Sequence, residues 1–300
     1  MNNQTETYAD TVLGFTLPDR NARGRLVRLD QVLDSIIKAH NYPAPITHLL
    51  AEALVLGALM GSLLKGQNAQ MTMQAQAKGT VVSLLVCDYR AGGMRGYAEF
   101  DDVALSQLGA NPSLPALLGI GFLAITFEAD NGTGAVERYQ GIVPLEGDTL
   151  AEACESYFVQ SEQVPTLLRV ASATRGETSS AAGLLIQHLA DGEEGRERLH
   201  VRLDHPDWEH VQTLASTISH SELLDKELSM EAIAWRLFHE EQEIRSHPIA
   251  CLSQACRCSH EHYERIILRF PKDERDQMRD EEGIIKVNCE FCSVAFSLNV

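Results

Sequence analysis

The sequence predicts an α+β fold: a core domain with a largely antiparallel sheet and packed helices, a helical linker, and a small carboxyl-terminal zinc module with four cysteine ligands. Three observations predict it. Strand-like runs follow one another through the first 190 residues with few helices between them, which favours antiparallel neighbours over regular βαβ units. An acidic stretch with helical periodicity comes next. Five of the seven cysteines then fall after position 250. The expected divisions are a core over 1–190, a linker over 191–250 and a zinc-binding module over 251–300.

In chain order, Met1–Asp10 is polar and lacks the charged and apolar regions of a signal peptide. Strands are expected at Gly24–Leu29, Gln70–Ala77, Thr80–Cys87, Met94–Phe100, Gly121–Glu128, Val136–Val143, Thr166–Ala171 and Ala181–Leu189. Helices are expected at Gln31–His40 behind an Asp30 cap, at Ile46–Lys65, and at Thr149–Ser161 behind an Asp148 cap. The most apolar run, Leu49–Leu64, is interrupted by Glu52 and is shorter than a membrane span needs, so it reads as a buried helix. Cys87 in an apolar strand and Cys154 on a helix read as buried small residues. There is no internal repeat.

Residues 191–245 hold fourteen Asp/Glu and six Lys/Arg, net −8, nearly half the charge of the whole chain. They keep a helical period: Trp208, Val211, Leu214 and Ala215, then Met230, Ile233, Ala234, Leu237 and Phe238. Helices charged on one side and apolar on the other must dock on something. The net charge of −17 argues against nucleic acid and anionic membrane as partners. The expected compartment is the cytoplasm, where thiols stay reduced and clustered cysteines point to metal or redox chemistry.

Cys256-Arg257-Cys258 is a CxC pair and Cys289-Glu290-Phe291-Cys292 a CxxC pair, separated by thirty residues. Two close pairs around a helical insert suit a tetrahedral zinc held by four thiolates, one ion per chain. Zinc keeps its sulfurs as thiolates, the form that oxidants attack, and a sulfenic acid on one sulfur has a resolving thiolate beside it. A disulfide sulfur is a poor ligand, so oxidation removes the metal and with it most of a small module's stability. A static zinc ribbon is the other reading of these cysteines. Against it, residues 256–300 hold nine Asp/Glu and seven Lys/Arg and offer no phosphate-binding stripe, and the CxC pair is unlike a ribbon's CxxC knuckles. An oxidoreductase working through its CxxC is disfavoured because Cys289–Cys292 precedes a strand-like tail, not a helix. Cys251 is close enough to be a substitute ligand but reads as a partner-free thiol, and His260 and His262 read as solvent-facing. His239-Glu240-Glu241 matches no zinc-protease pattern, and phosphate-loop, dinucleotide and nucleophile-elbow motifs are absent, so no enzyme activity is expected.

The cysteine spacing at the carboxyl end of a chain this long resembles the bacterial heat-shock protein 33 family of redox-regulated chaperones. So does the run from Glu137 to Leu150, continuing through Tyr157-Phe158 to Ser161–Thr166, as do Trp235–Glu241 and the amino-terminal part Arg23–Leu63. The resemblance implies an ATP-independent holdase that binds unfolding proteins during oxidative stress. It implies that the reduced, zinc-bound form is inactive, and that oxidation pairs Cys256 with Cys258 and Cys289 with Cys292. It further implies unfolding of the module and the preceding linker, and a homodimer when oxidised. The tail of eight residues after Cys292 and the extra Cys251 depart from the family pattern.

Overall fold

The computed structural model describes residues 9–66, 68–130, 136–176, 178–189 and 204–300. Met1–Tyr8, the expected boundary at 190/191 and linker residues 191–203 lie outside them.

The chain opens with an antiparallel hairpin, β1 (Thr11–Leu17) and β2 (Ala22–Leu29). The sequence reading did not anticipate β1. It is buried on both faces, so it lacks the polar–apolar alternation that marks a strand. Gly24 leaves the slot that the Phe15 ring occupies; a Cβ there would strike the ring. Helix α1 (Gln31–Lys38) follows. Asp30 sits at its N-cap position but makes no side-chain capping bond, because its backbone is not in the extended geometry of a cap. Asp10 caps the helix from across the fold, its carboxylate accepting from the N–H groups of Asp30, Gln31 and Val32 at 3.0, 3.0 and 3.2 Å.

Helix α2 (Ala44–Gly61) is buried nearly all round. With 18 residues it is long and apolar enough to match a membrane span, yet it is 78% buried, packed against strands of both large sheets. Next come β3 (Gln70–Ala77), β4 (Val82–Arg90), β5 (Gly93–Phe100), the short helices α3 (Asp102–Ser106) and α4 (Leu114–Leu118), β6 (Gly121–Asp130) and β7 (Val136–Pro144). Helix α5 (Leu150–Tyr157) is capped by Thr149 instead of the expected Asp148; its hydroxyl accepts from Glu152 N–H at 3.2 Å. The Asp148 N–H is itself used, donating to the Glu152 carboxylate at 2.7 Å. Strands β8 (Thr166–Arg175) and β9 (Thr178–His188) complete this part.

Helices α6 (Pro206–Ser216), α7 (His220–Leu223) and α8 (Met230–Phe238) then lead into β10 (Arg245–Cys251), a strand where the sequence suggested helical linker. Pro248 explains the difference. Its missing N–H breaks a helix but is tolerated in an edge strand, which is where β10 lies. The last elements are β11 (Ser253–Gln254), α9 (His260–Ile267), α10 (Lys272–Met278) and the hairpin β12 (Ile285–Asn288) with β13 (Ala295–Leu298).

One sheet has five strands in the order β10-β1-β2-β9-β8, and the second has six in the order β11-β5-β4-β3-β6-β7. Among the described residues every strand pair is antiparallel except β11 against β5. The main core, which includes Leu33, Leu50, Leu54, Met71, Leu85, Ile125, Leu168 and Leu185, fills the space between the sheets around α2. The opposite face of the five-stranded sheet carries a second apolar cluster. There Leu13, Phe15, Leu17, Leu26, Leu184 and Ile186 meet Trp208, Val211, Ala215, Met230, Ile233 and Phe238 from α6 and α8. The apolar faces expected from the helical period are therefore the buried ones, with Leu214 and Leu237 at the margin.

Candidate metal centre

The four cysteines reach one point from two different local structures. Cys256 and Cys258 follow directly on β11, and Ser259 turns the chain into α9 by accepting from His262 N–H at 3.1 Å. Cys289 and Cys292 occupy the loop of the β12–β13 hairpin. The loop is closed by Cys289 N–H to the Val294 carbonyl at 2.9 Å and Ser293 N–H to the Cys289 carbonyl at 2.8 Å. Ser293 takes the left-handed backbone conformation this tight turn requires.

The four Sγ atoms all lie within 4.8 Å of one another. Cys256 to Cys258 is 3.3 Å, Cys256 to Cys289 is 3.6 Å and Cys258 to Cys292 is 3.5 Å. A tetrahedron with metal–sulfur bonds of about 2.3 Å has edges of about 3.8 Å, so these spacings fit one ion with four sulfur donors. None of the seven cysteines is paired in a disulfide. Burial opposes ionisation of Cys289, but bonds from the Tyr263 hydroxyl, the Phe291 N–H and the Cys256 and Cys292 thiols bring it down to about 7. Burial raises Cys258 and Cys292. The module's own apolar core is small: Ile267, Ile285 and Leu298 are buried, flanked by Tyr263, Val287, Phe296 and Val300. So few side chains offset little of the entropy of ordering residues 256–300, which leaves the donor set as the organising element.

The cluster is seated on the six-stranded sheet. Arg257, between the first two cysteines, donates to Gln70 Oε1 at 2.6 Å and to Asp88 Oδ2 at 2.9 Å. Asp88 is buried and also accepts from Arg95 at 2.6 and 2.8 Å and from the Thr72 hydroxyl at 2.7 Å. Phe291, between the last two cysteines, lies under the Arg95 guanidinium at 3.8 Å and meets Tyr97 edge-on at 4.9 Å. His40 Nε2–H donates to the Phe291 carbonyl at 3.3 Å while Nδ1 accepts from Ser293 Oγ at 3.4 Å. Burial holds His40 below the ordinary imidazole value, in keeping with this neutral tautomer.

Cys251 is exposed and outside the cluster; Cys87 and Cys154 are fully buried, and burial raises both thiols. His260 and His262 face solvent. In the His239-Glu240-Glu241 run Glu241 accepts from Arg20 at 2.8 Å and from His210 at 2.7 Å, while His239 meets the Arg236 carbonyl and the Trp235 ring of its own helix. Sequence reasoning missed the whole seat on the core. Arg257 carried a signal, a cation inside a ligand pair of an acidic chain; Asp88, Arg95 and His40 carried none.

The model of the Hsp33 protein family matches residues 10–299. The 33 kDa chaperonin of Caulobacter vibrioides is 37% identical over 302 residues, covering 98% of this chain and 96% of its own. That of Enterobacter sp. (strain 638) is 34% identical, covering 92% and 88%. Among solved structures, the 33 kDa chaperonin (heat shock protein 33 homolog) of Thermotoga maritima superposes with a TM-score of 0.75 over 96% of this chain and 94% of its own. It shares 20% identity, so it speaks for the fold.

Proposed function

Because this chain belongs to the Hsp33 family, with relatives named chaperonins along nearly its whole length, we propose that it is a non-enzymatic chaperone whose client-binding face is released by oxidation of its cysteine centre. The observation that carries the redox part is the convergence of Cys256, Cys258, Cys289 and Cys292 within 4.8 Å at a module with almost no core of its own. In the reduced state these four sulfurs hold one zinc ion. Bound zinc keeps them as thiolates, the form that attacks an oxidant. One sulfur attacks peroxide to give a sulfenic acid and release hydroxide. The neighbouring thiolate then displaces a second hydroxide and closes the disulfide, so two sulfurs lose two electrons and peroxide becomes water. Cys256 pairs with Cys258, and Cys289 with Cys292. Once paired, these sulfurs are no longer good donors, and the module loses its organising element.

The module and linker (251–300 and 191–250) then leave the core (1–190). Separation of α6 and α8 from the five-stranded sheet bares Leu13, Phe15, Leu17, Leu26, Leu184 and Ile186, an apolar face suited to the exposed segments of unfolding proteins. Binding of this kind needs no nucleotide. The oxidised form dimerises. Clustered thiols suit work in the cytoplasm, where they stay reduced, and a net charge of −17 accords with work away from nucleic acid and anionic membrane.

The test is peroxide-driven zinc release followed in parallel with suppression of client aggregation in the absence of ATP. Both are expected to rise together, and peptide mapping is expected to find the two near-neighbour disulfides. Zinc that is retained under peroxide, with no gain of aggregation suppression, would favour a constitutive zinc-stabilised interaction module with no redox function instead.

A further inference from the structure

Each of the two cysteine pairs encloses one side chain that is spent on the core and not on the metal centre: Arg257 within CxC and Phe291 within CxxC. They arrive from ligand loops 33 positions apart, the separation of Cys256 and Cys289, yet converge on neighbouring residues of β4 and β5. Arg257 and Arg95 place two guanidinium groups on one oxygen of the buried Asp88, at 2.9 and 2.6 Å, and Arg95 in turn covers the Phe291 ring at 3.8 Å. The four groups form a single chain of contacts: Arg257, Asp88, Arg95, Phe291.

We infer that this chain is a latch through which the core senses whether the four-cysteine centre is assembled. The inference rests on the metal reading of the cysteines and does not need the redox step. Arg257 and Phe291 can reach Asp88 and Arg95 at the same time only when the CxC and CxxC loops are held together, because each side chain projects from between two converging sulfurs. Metal assembly therefore presents both, and loss of assembly withdraws both.

The latch controls the adjoining strand. Ser253 N–H donates to the Gly92 carbonyl at 3.0 Å and Ala255 N–H to the Met94 carbonyl at 2.9 Å, seating β11 parallel to β5 just ahead of Cys256. Gly92 permits this close approach, since a Cβ there would stand 2.5 Å from the Cys251 carbonyl oxygen. A two-residue parallel strand has little hold of its own, with only Ser253 and Gln254 in register with Gly93 and Met94. Arg257, two residues beyond Ala255, anchors its exit. Upstream, Leu252 N–H donates to the Asp10 carbonyl at 2.7 Å, and β10 runs back along β1. Release of the latch thus frees the carboxyl end of the strand that ties the linker helices to the core.

Asp88 holds two cations, so Asp88→Asn keeps the shape and leaves Arg95 and Arg257 facing each other without the charge between them. Phe291→Ala removes the other contact from outside the core. The experiment is hydrogen exchange on the full-length reduced protein, with zinc and after chelation, for the parent and both variants. In the parent, zinc is expected to protect the amides of Ser253 and Ala255, and chelation to abolish that protection. Both variants are expected to bind one zinc per chain yet to show protection at these amides reduced roughly tenfold to a hundredfold, the loss of one or two charge-assisted contacts. Where Asp88→Asn also disturbs the sheet, as slow-exchanging amides of β3 and β4 would reveal, Phe291→Ala decides the matter. Parental protection in the zinc-loaded Phe291→Ala variant, or protection in the parent that survives chelation, would overturn the latch alone. Failure of the parent to bind zinc would overturn the metal reading and the latch together.

Discussion

Under the linker helices the core offers a surface of side chains that avoid water; under the cysteine module it offers one that carries charge. At the first seat Phe15 and Phe238 meet with ring centres 5.7 Å apart, among Leu26, Leu184, Ile186 and Ile233, all buried. At the second, one carboxylate, one guanidinium group and a histidine hold a single phenyl ring and one arginine in place. The first interface is apolar and non-directional, so it tolerates small displacements. The second is directional: its partners must lie within a few tenths of an ångström, and moving the cysteine loops breaks all of it. The contrast suits the two seats to the two tasks proposed for them. A directional contact is fit to detect a change of a few ångströms, and an apolar face is fit to bind clients once it is uncovered.

The largest effect is expected from removing a ligand. Cys289→Ser takes one donor from the cluster and the group that the Tyr263 hydroxyl and Phe291 N–H support. Structural zinc supplies about 10–16 kcal/mol to small sites, so this variant is expected to lose zinc and unfold over 256–300 while the core melts as before. Metal analysis with hydrogen exchange checks it, and full zinc retention would refute the ligand assignment.

A charge beneath the linker should act next most strongly. Ile233 is 3% exposed, and Ile233→Glu gives up about 1.5–3 kcal/mol of burial and adds the cost of dehydrating a carboxylate. The expected protein keeps its zinc and reduced thiols but suppresses client aggregation without peroxide. Leu237→Glu, at the margin of the same cluster, is expected to do so more weakly. If exchange shows α6 and α8 undocked while the protein stays inactive, uncovering this face is not the active step.

Acid should loosen the same seat by a smaller amount. Glu241 is desolvated, which by itself raises its pKa, but its bonds to Arg20 and His210 outweigh this and hold it below the ordinary value of 4.5. Arg20 likewise lowers Asp207 from 3.8. A carboxylate whose folded pKa is depressed contributes stability that is present above its unfolded value and lost as pH falls through the folded one. The linker is therefore expected to be fully docked above about pH 4.5 and to loosen progressively below it. Exchange of α6 amides against pH measures this, and Glu241→Gln should flatten the profile. The smallest effect is expected at Trp235, which is 61% exposed on the outer side of α8. Trp235→Ala should change linker stability by no more than about 0.5 kcal/mol, and a large loss would mean that this ring has a partner beyond the neighbouring His239 ring.

What could be read without coordinates was whatever repeats locally. The alternation of Gln70–Ala77 and the three-and-four spacing of Met230, Ile233, Ala234 and Phe238 mark buried faces because a strand or helix sets its own period. The CxC and CxxC spacings show that two sulfurs stand side by side whatever surrounds them. Tertiary structure decided the rest, wherever a residue's partner lies far along the chain. Asp10 replaces Asp30 as the cap of α1, β10 becomes a strand because β1 offers an edge, and Asp88 becomes the seat of Arg257 across 169 positions. Local backbone preferences are worth tenths of a kcal/mol per residue, too little to announce such pairings. A buried charge or an open sheet edge is worth several times that, and its partner is chosen only when the chain has folded.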